Sequence, residues 1–165
     1  MALCLAFVGT VALDGSWGPA SAGDDAAPAR FQPHYESLAT AKTNLRRGPS
    51  FKHHILWVYH RKGLPVKVLS KYDVWRRVQM PDGTVGWLHR IMLSDQRSVL
   101  VTAKHDTPLR AEAAQTSKTI ALAQPGVTAM LERCTKSACE IETDGLTGWI
   151  DKKRIWGVSA GEVFP

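Results

Sequence analysis

Two pairs of adjacent cations, Arg46-Arg47 and Arg61-Lys62, are the residues of this sequence best suited to recognising an anion. A guanidinium presents a planar fork of donors that fits a carboxylate or phosphate bidentately, and an ammonium adds a point charge. Both pairs fall in a stretch that also carries Tyr35, Trp57, Tyr59, Tyr72, Trp75 and Trp87. An aromatic groove flanked by basic residues suits a peptide or sugar ligand. Trp57 and Tyr59 lie two apart, so in a strand they share a face while Val58 turns to the other; they read as a surface platform or as a contact between domains. The candidate ligand-binding set is therefore Arg46, Arg47, Trp57, Tyr59, Arg61 and Trp75. The rival reading of the cations is an ordinary solvated strand face.

The charge is unevenly spread. The 165 residues carry 21 Lys and Arg against 15 Asp and Glu, a net of +6, which favours anionic partners. Residues 34–98 hold twelve basic and four acidic side chains, a net of +8, whereas residues 99–165 hold eight of each. With 44% hydrophobic and 22% charged residues the chain is not a wholly disordered or low-complexity segment.

Catalysis and metal binding find little support in the residue types. His53 and His54 are adjacent and point to opposite sides of a strand, so His60 or His89 would have to converge from elsewhere to complete a metal site. Enzymatic chemistry needs a nucleophile and a base within hydrogen-bond reach, and no Ser, His and Asp constellation is discernible. Neither a metal nor a cofactor is expected. Cys134 and Cys139 are separated by Thr135, Lys136, Ser137 and Ala138, which a short hairpin can close. In an oxidising compartment this pair is expected to form a disulfide, and two thiolates alone do not complete a tetrahedral zinc site.

The elements that position these residues are repeated. Asp82-Gly83-Thr84-Val85-Gly86-Trp87-Leu88 recurs as Asp144-Gly145-Leu146-Thr147-Gly148-Trp149-Ile150; upstream, Thr40-Ala41-Lys42 recurs as Thr102-Ala103-Lys104 and Leu45-Arg46 as Leu109-Arg110. The chain thus holds two copies of one module of about sixty residues, the second diverged. In the first copy Val66, Val68, Val74, Arg76 and Val78 fall at the period of two expected for half-buried strands. Asp82-Gly83 accepts the positive φ angles of a hairpin turn. Gly86 is expected to let the ring of Trp87 pack over a closely approaching backbone, with Trp87 and Trp149 anchoring the cores. Five or six short strands per copy imply a small, closed or partly closed β-barrel.

Asn44-Leu45-Arg46-Arg47-Gly48-Pro49-Ser50 early in the unit, Trp75-Arg76-Arg77-Val78 in its middle and Asp82-Gly83-Thr84-Val85-Gly86-Trp87 near its end together resemble the bacterial SH3-like (Src homology 3) domain. The resemblance covers Tyr35 to Leu93 well. The unit from Ser98 to Val158 keeps Leu109-Arg110 and Asp144 to Trp149 but lacks the Gly-Pro-Ser turn, and Cys139 stands near the place of Trp75. The arrangement is similar to exported tandem SH3-like proteins of Gram-negative bacteria, with Trp57-Val58-Tyr59 and Gly63-Leu64-Pro65-Val66 as family features. The resemblance implies five-stranded barrels and a cell-envelope role, often in cell-wall or peptide binding, without catalysis.

Ahead of the repeats, Ala2 to Leu13 is an apolar stretch too short for the roughly 20 residues of a spanning helix. With small residues at Ala20 and Ala22 it reads as a signal peptide cleaved after Ala22, which takes Cys4 away with it. The expected organisation is a signal peptide over 1–22, a linker over 23–33 and SH3-like domains over 34–97 and 98–165. The whole is an all-β chain of two tandem small SH3-like β-barrels after a cleavable signal peptide, periplasmic or secreted. Its expected function is non-enzymatic recognition of peptidoglycan or a peptide by the first barrel, the alternative being a scaffold or regulatory protein that binds another envelope protein. Nucleic acid is disfavoured as a partner because export removes the chain from it.

Overall fold

The computed structural model describes residues 30–165, and Phe31–Pro165 forms one compact unit. The expected signal peptide, Cys4, the cleavage position and most of the linker lie outside the described residues. Among the described residues no helix is long and apolar enough to cross a membrane.

The first repeat folds into seven strands: β1 (His34–Leu38), β2 (Thr43–Arg46), β3 (Ile55–Tyr59), β4 (Pro65–Tyr72), β5 (Trp75–Gln79), β6 (Val85–His89) and β7 (Leu93–Ser94). The second gives β8 (Ser98–Val101), β9 (Thr107–Arg110), β10 (Thr119–Ala123), β11 (Thr128–Cys134), β12 (Ala138–Thr143), β13 (Leu146–Asp151) and β14 (Ile155–Trp156). The spatial orders are β3-β2-β6-β5-β4-β1-β7 and β10-β9-β13-β12-β11-β8-β14, the same sequence of neighbours with every strand antiparallel. Seven strands rather than five or six form because β7 and β14, two residues each, pair with β1 and β8. Two residues are too few to show a period.

Alternation places the core residues. Leu45, Val66, Val68, Val78 and Leu88 are buried in the first barrel; Leu109, Ala129, Leu131, Ile141 and Ile150 hold the matching positions in the second. Trp87 does not anchor its core, contrary to expectation, and Trp149, although buried at 9% exposure, lies outside the cluster that forms the second core. Each is the neighbour of a core residue, Leu88 or Ile150, and so turns to the opposite face. Trp87 is half-buried there, and the guanidinium of Arg133 covers the ring of Trp149 at 5.4 Å. Gly86 serves a different close approach from the one expected: a Cβ there would lie 2.6 Å from Leu45 Cγ and 2.9 Å from the Arg46 carbonyl oxygen. Its absence lets β2 lie directly over β6.

The hairpin turns differ by one residue. In the second repeat Asp144 and Gly145, with φ of 51° and 78°, form a two-residue turn between paired Thr143 and Leu146. In the first, Met80 N–H donates to the Thr84 carbonyl, Gly83 N–H donates to the Met80 carbonyl, and only Gly83 has positive φ. The extra residue shifts β5 by one position relative to β12, so Ala138, not Cys139, matches Trp75. Cys139 instead matches Arg76. Cys134 and Cys139 face each other across the β11–β12 pair with Cα atoms 4.1 Å apart and form the expected disulfide.

The barrels are joined at Arg97-Ser98. Arg97 donates to Glu162 Oε1 at 2.8 Å and to the Gly157 carbonyl at 3.0 Å, and its guanidinium lies over the rings of Tyr35 and Phe164. Ser98 Oγ donates to the Gly63 carbonyl at 2.6 Å, and the rings of Tyr35 and Trp156 meet edge to face at 5.1 Å.

Candidate functional site

The outer face of β2, β5 and β6 carries Asn44, Arg46, Trp75 and His89, brought together because Trp75 pairs with His89 across the β5–β6 hairpin. Between β2 and β3 the loop 47–54 folds back over them. Arg47 N–H donates to the His54 carbonyl at 3.0 Å and closes the loop at its base, while His53 N–H donates to the Ser50 carbonyl at 3.1 Å. Arg46 Nη1 reaches inside the loop and donates to the carbonyls of Phe51 and His53, both at 2.9 Å. Gly48 is needed where the ring of His53 lies, since a Cβ would stand 2.5 Å from it.

This fold-back lays Phe51 on the pair beneath. Its ring meets Trp75 edge to face at 4.9 Å and stacks on His89 at 5.5 Å, and Trp75 meets His89 at 5.3 Å. The Arg46 guanidinium sits 5.5 Å over the Phe51 ring, within the range of a cation–π contact. Beside the rings a cavity of about 40 Å³ is lined by Asn44, Arg46, Phe51, Trp75, His89 and Met92, and the buried Oδ1 of Asn44 has no hydrogen-bond partner. His89 Nδ1 accepts from Ile91 N–H at 3.3 Å, capping the 3₁₀ turn Arg90–Met92. The neutral ring then carries its proton on Nε2. The arrangement offers aromatic surface, a fixed cation and an unpaired amide oxygen, groups with the chemistry of recognition rather than of bond-making.

The sequence-derived set is divided by the fold. Arg46 and Trp75 are brought together, but Trp75 is only 6% exposed and lies beneath Phe51, while Arg46 is committed to the loop carbonyls. Arg47 is exposed at the base of the loop. Trp57 and Tyr59 are not part of this group: they pair with Leu45 and Thr43, whose side chains belong to the other face of β2. Trp57 is 61% exposed. Tyr59 donates its hydroxyl to Asp82 Oδ2 at 3.0 Å and so braces the hairpin turn. Burial pushes the Tyr59 hydroxyl up to about 12, with the Thr84 hydroxyl acting against the shift and the Asp82 carboxylate adding to it. Burial opposes ionisation of Asp82, but hydrogen bonds from Thr84 and Tyr59 hold its carboxyl below the usual range. Arg61 Nη2 donates to the Gly126 carbonyl of the second barrel at 2.6 Å.

Phe51, Asn44 and Met92 carry no expected role from the sequence, and His89 only that of a candidate metal ligand. The place of His89 was accessible to sequence reading, because counting outward from Asp82-Gly83 puts it across the hairpin from Trp75; the fold-back that brings Phe51 there has no such signal.

The second barrel keeps the strut and loses the rings. Arg110 Nη1 donates to the Ser117 carbonyl at 3.1 Å, as Arg46 does in its own loop, and Asp151 replaces His89 as the cap of the 3₁₀ turn Lys152–Arg154. Ala138 occupies the place of Trp75, and the loop 111–118 contains no aromatic residue.

The family model described as bacterial SH3 domain matches this chain twice, over residues 39–95 and 103–157. The chain belongs to the bacterial SH3 domain family. Bacterial SH3 domains are in general binding modules, in keeping with the chemistry of the first barrel. No curated protein matches the sequence. Among solved structures, NlpC2 and NlpC1 from Trichomonas vaginalis are each 11% identical with a TM-score of 0.35; they cover 76% and 79% of this bacterial SH3 chain and 48% of their own. An NlpC/P60 family protein from Bacillus cereus ATCC 10987 is 13% identical with a TM-score of 0.34, covering 74% of this chain and 55% of its own. This chain therefore spans about half the length of those proteins.

Proposed function

We propose that the protein is an exported, non-enzymatic binding module that recognises peptidoglycan, or a peptide of the cell envelope, through its first barrel. The observation that carries this reading is the coincidence of rings and charge. Phe51, Trp75 and His89 are assembled in the repeat of net charge +8, and the neutral repeat lacks the assembly. Phe51 is 62% exposed above its partners and presents a supported ring to a sugar or peptide face. Arg47 and Lys52 of the same loop are exposed and suit the carboxylates of stem peptides. The apolar segment before the repeats supports export, as does the Cys134–Cys139 disulfide, since such bridges persist in oxidising compartments.

Sedimentation of the mature protein with insoluble peptidoglycan across a salt series tests the reading, alongside Phe51→Ala and Arg47→Glu. Saturable retention that falls about tenfold or more in either variant is expected, the loss of one good contact at about 1.4 kcal/mol per decade. Absence of wild-type retention at every salt concentration would overturn the wall-binding reading and leave a protein partner in its place.

A further inference from the structure

The strand β3 stands at the end of its sheet and pairs only with β2, so its other edge presents unpaired backbone groups. Natural edge strands are usually shielded by Lys, Pro, a bulge, a covering loop or extreme shortness. This one reads Ile55-Leu56-Trp57-Val58-Tyr59, five residues with no charge and no proline, and Ile55, Leu56 and Trp57 are all exposed. Its shielding device is a bulge at Leu56, opposite Leu45 and Arg46, which leaves Trp57, Val58 and Tyr59 in regular pairing with β2.

Charge decides what fits this edge. From Ser37 to Tyr72 the chain contains eight Lys and Arg and three His, and no Asp or Glu. Arg47, Lys52, His53 and His54 precede the strand and His60, Arg61 and Lys62 follow it, all exposed. The carboxylate that reaches the strand from outside this stretch, Asp82, is bonded to the Tyr59 hydroxyl at its far end. A second copy of this chain would bring like charges together. The corresponding edge of the second barrel, β10, exposes Leu122 and Ile120, but Lys118 is the sole Lys or Arg from 111 to 132.

We propose that the free edge of β3 is a docking site for an extended acidic segment of a partner protein, which adds to the sheet as an eighth strand. Backbone hydrogen bonds supply the affinity, Leu56 and Trp57 receive apolar side chains, and the flanking cations select carboxylates. The strand edge is distinct from the Phe51, Trp75 and His89 rings, although the loop carrying Arg47 and Lys52 adjoins both, so the Leu56, Trp57 and Phe51 variants separate this inference from the wall-binding reading.

The test uses a ten-residue peptide of alternating Glu and Val, its Lys and Val counterpart, and the acidic peptide N-methylated at alternate residues. Binding is followed by amide resonances and hydrogen exchange of residues 55–59. The expected result is saturable binding of the acidic peptide alone, exchange at the outward amides slowed about tenfold or more, and comparable weakening by N-methylation. Leu56→Glu/Trp57→Glu should abolish it while leaving peptidoglycan retention intact, and Phe51→Ala should do the reverse. Equal binding of the N-methylated or the basic peptide overturns the proposal, as does absence of binding. So does capture by phosphatidylglycerol vesicles in place of the peptide, or self-association that covers the strand.

Discussion

Ala138 in the second barrel stands at the register position that Trp75 holds in the first: each lies across a hairpin from the residue that caps the next 3₁₀ turn, Asp151 or His89. The cap survives the exchange of His for Asp because either side chain accepts from the N–H two residues on. The aromatic site does not survive it, since without the indole the loop has no ring surface on which to seat a phenylalanine. The copies share a scaffold, and the stacked rings of Phe51, Trp75 and His89 are confined to one of them.

Phe51 and Trp75 should therefore respond differently to truncation. Phe51→Ala removes an exposed ring and its two aromatic contacts, a loss of about 1 kcal/mol of stability, whereas Trp75→Ala empties a buried site and should cost about 3 to 5 kcal/mol. Urea denaturation of both variants checks the order; equal losses would mean that Phe51 is part of the core.

Gly86→Ala should destabilise more than Gly148→Ala. The new Cβ at position 86 would meet Leu45 Cγ at 2.6 Å and a backbone oxygen at 2.9 Å, while the one at 148 would find its nearest neighbours at 3.2 Å. The first requires β2 to move away from β6, an overpacking cost of about 1 to 3 kcal/mol. Midpoints of chemical denaturation for the two variants decide it.

The legible parts of this protein are those with a period or a repeat. Val66 and Val68 announce β4, and the recurrence of Asp-Gly before Gly-Trp announces a second barrel that folds with the same strand order as the first. Tryptophan, the largest apolar side chain, points to the core by residue type alone, yet alternation from buried Gly86 puts Leu88 inside and Trp87 out. Arg46 and Arg61 were legible as cations but not as struts, because their acceptors are carbonyls of a folded-back loop and of the other barrel. Such contacts depend on tertiary closure and leave no trace in residue type.

Reduction of the Cys134–Cys139 bridge should weaken the second barrel. The bridge closes a short loop, for which the chain-entropy argument gives about 2 kcal/mol, and both sulfur-bearing residues are part of the core. Cys134→Ala/Cys139→Ala should shift the denaturation midpoint as reductant shifts the wild type, and reductant should leave the variant unmoved. A variant as stable as the oxidised protein would show that the bridge contributes nothing.

Tyr59 makes stability fall at alkaline pH. Its hydroxyl, raised from 10.0 to about 12 by burial and by the Asp82 carboxylate against the opposing Thr84 hydroxyl, stays protonated in the fold after it has ionised in the unfolded chain. The stabilisation is complete below pH 10, is lost progressively as pH rises towards 12, and is gone above it. Absorbance titration near 295 nm should show one of the three tyrosines ionising at about pH 12. Tyr59→Phe should remove that late step and flatten the decline of stability over the same interval, although Tyr35, also raised by burial, will retain part of the slope. If the variant keeps the full alkaline decline, the Tyr59–Asp82 bond does not couple the β3 end to the hairpin turn in solution.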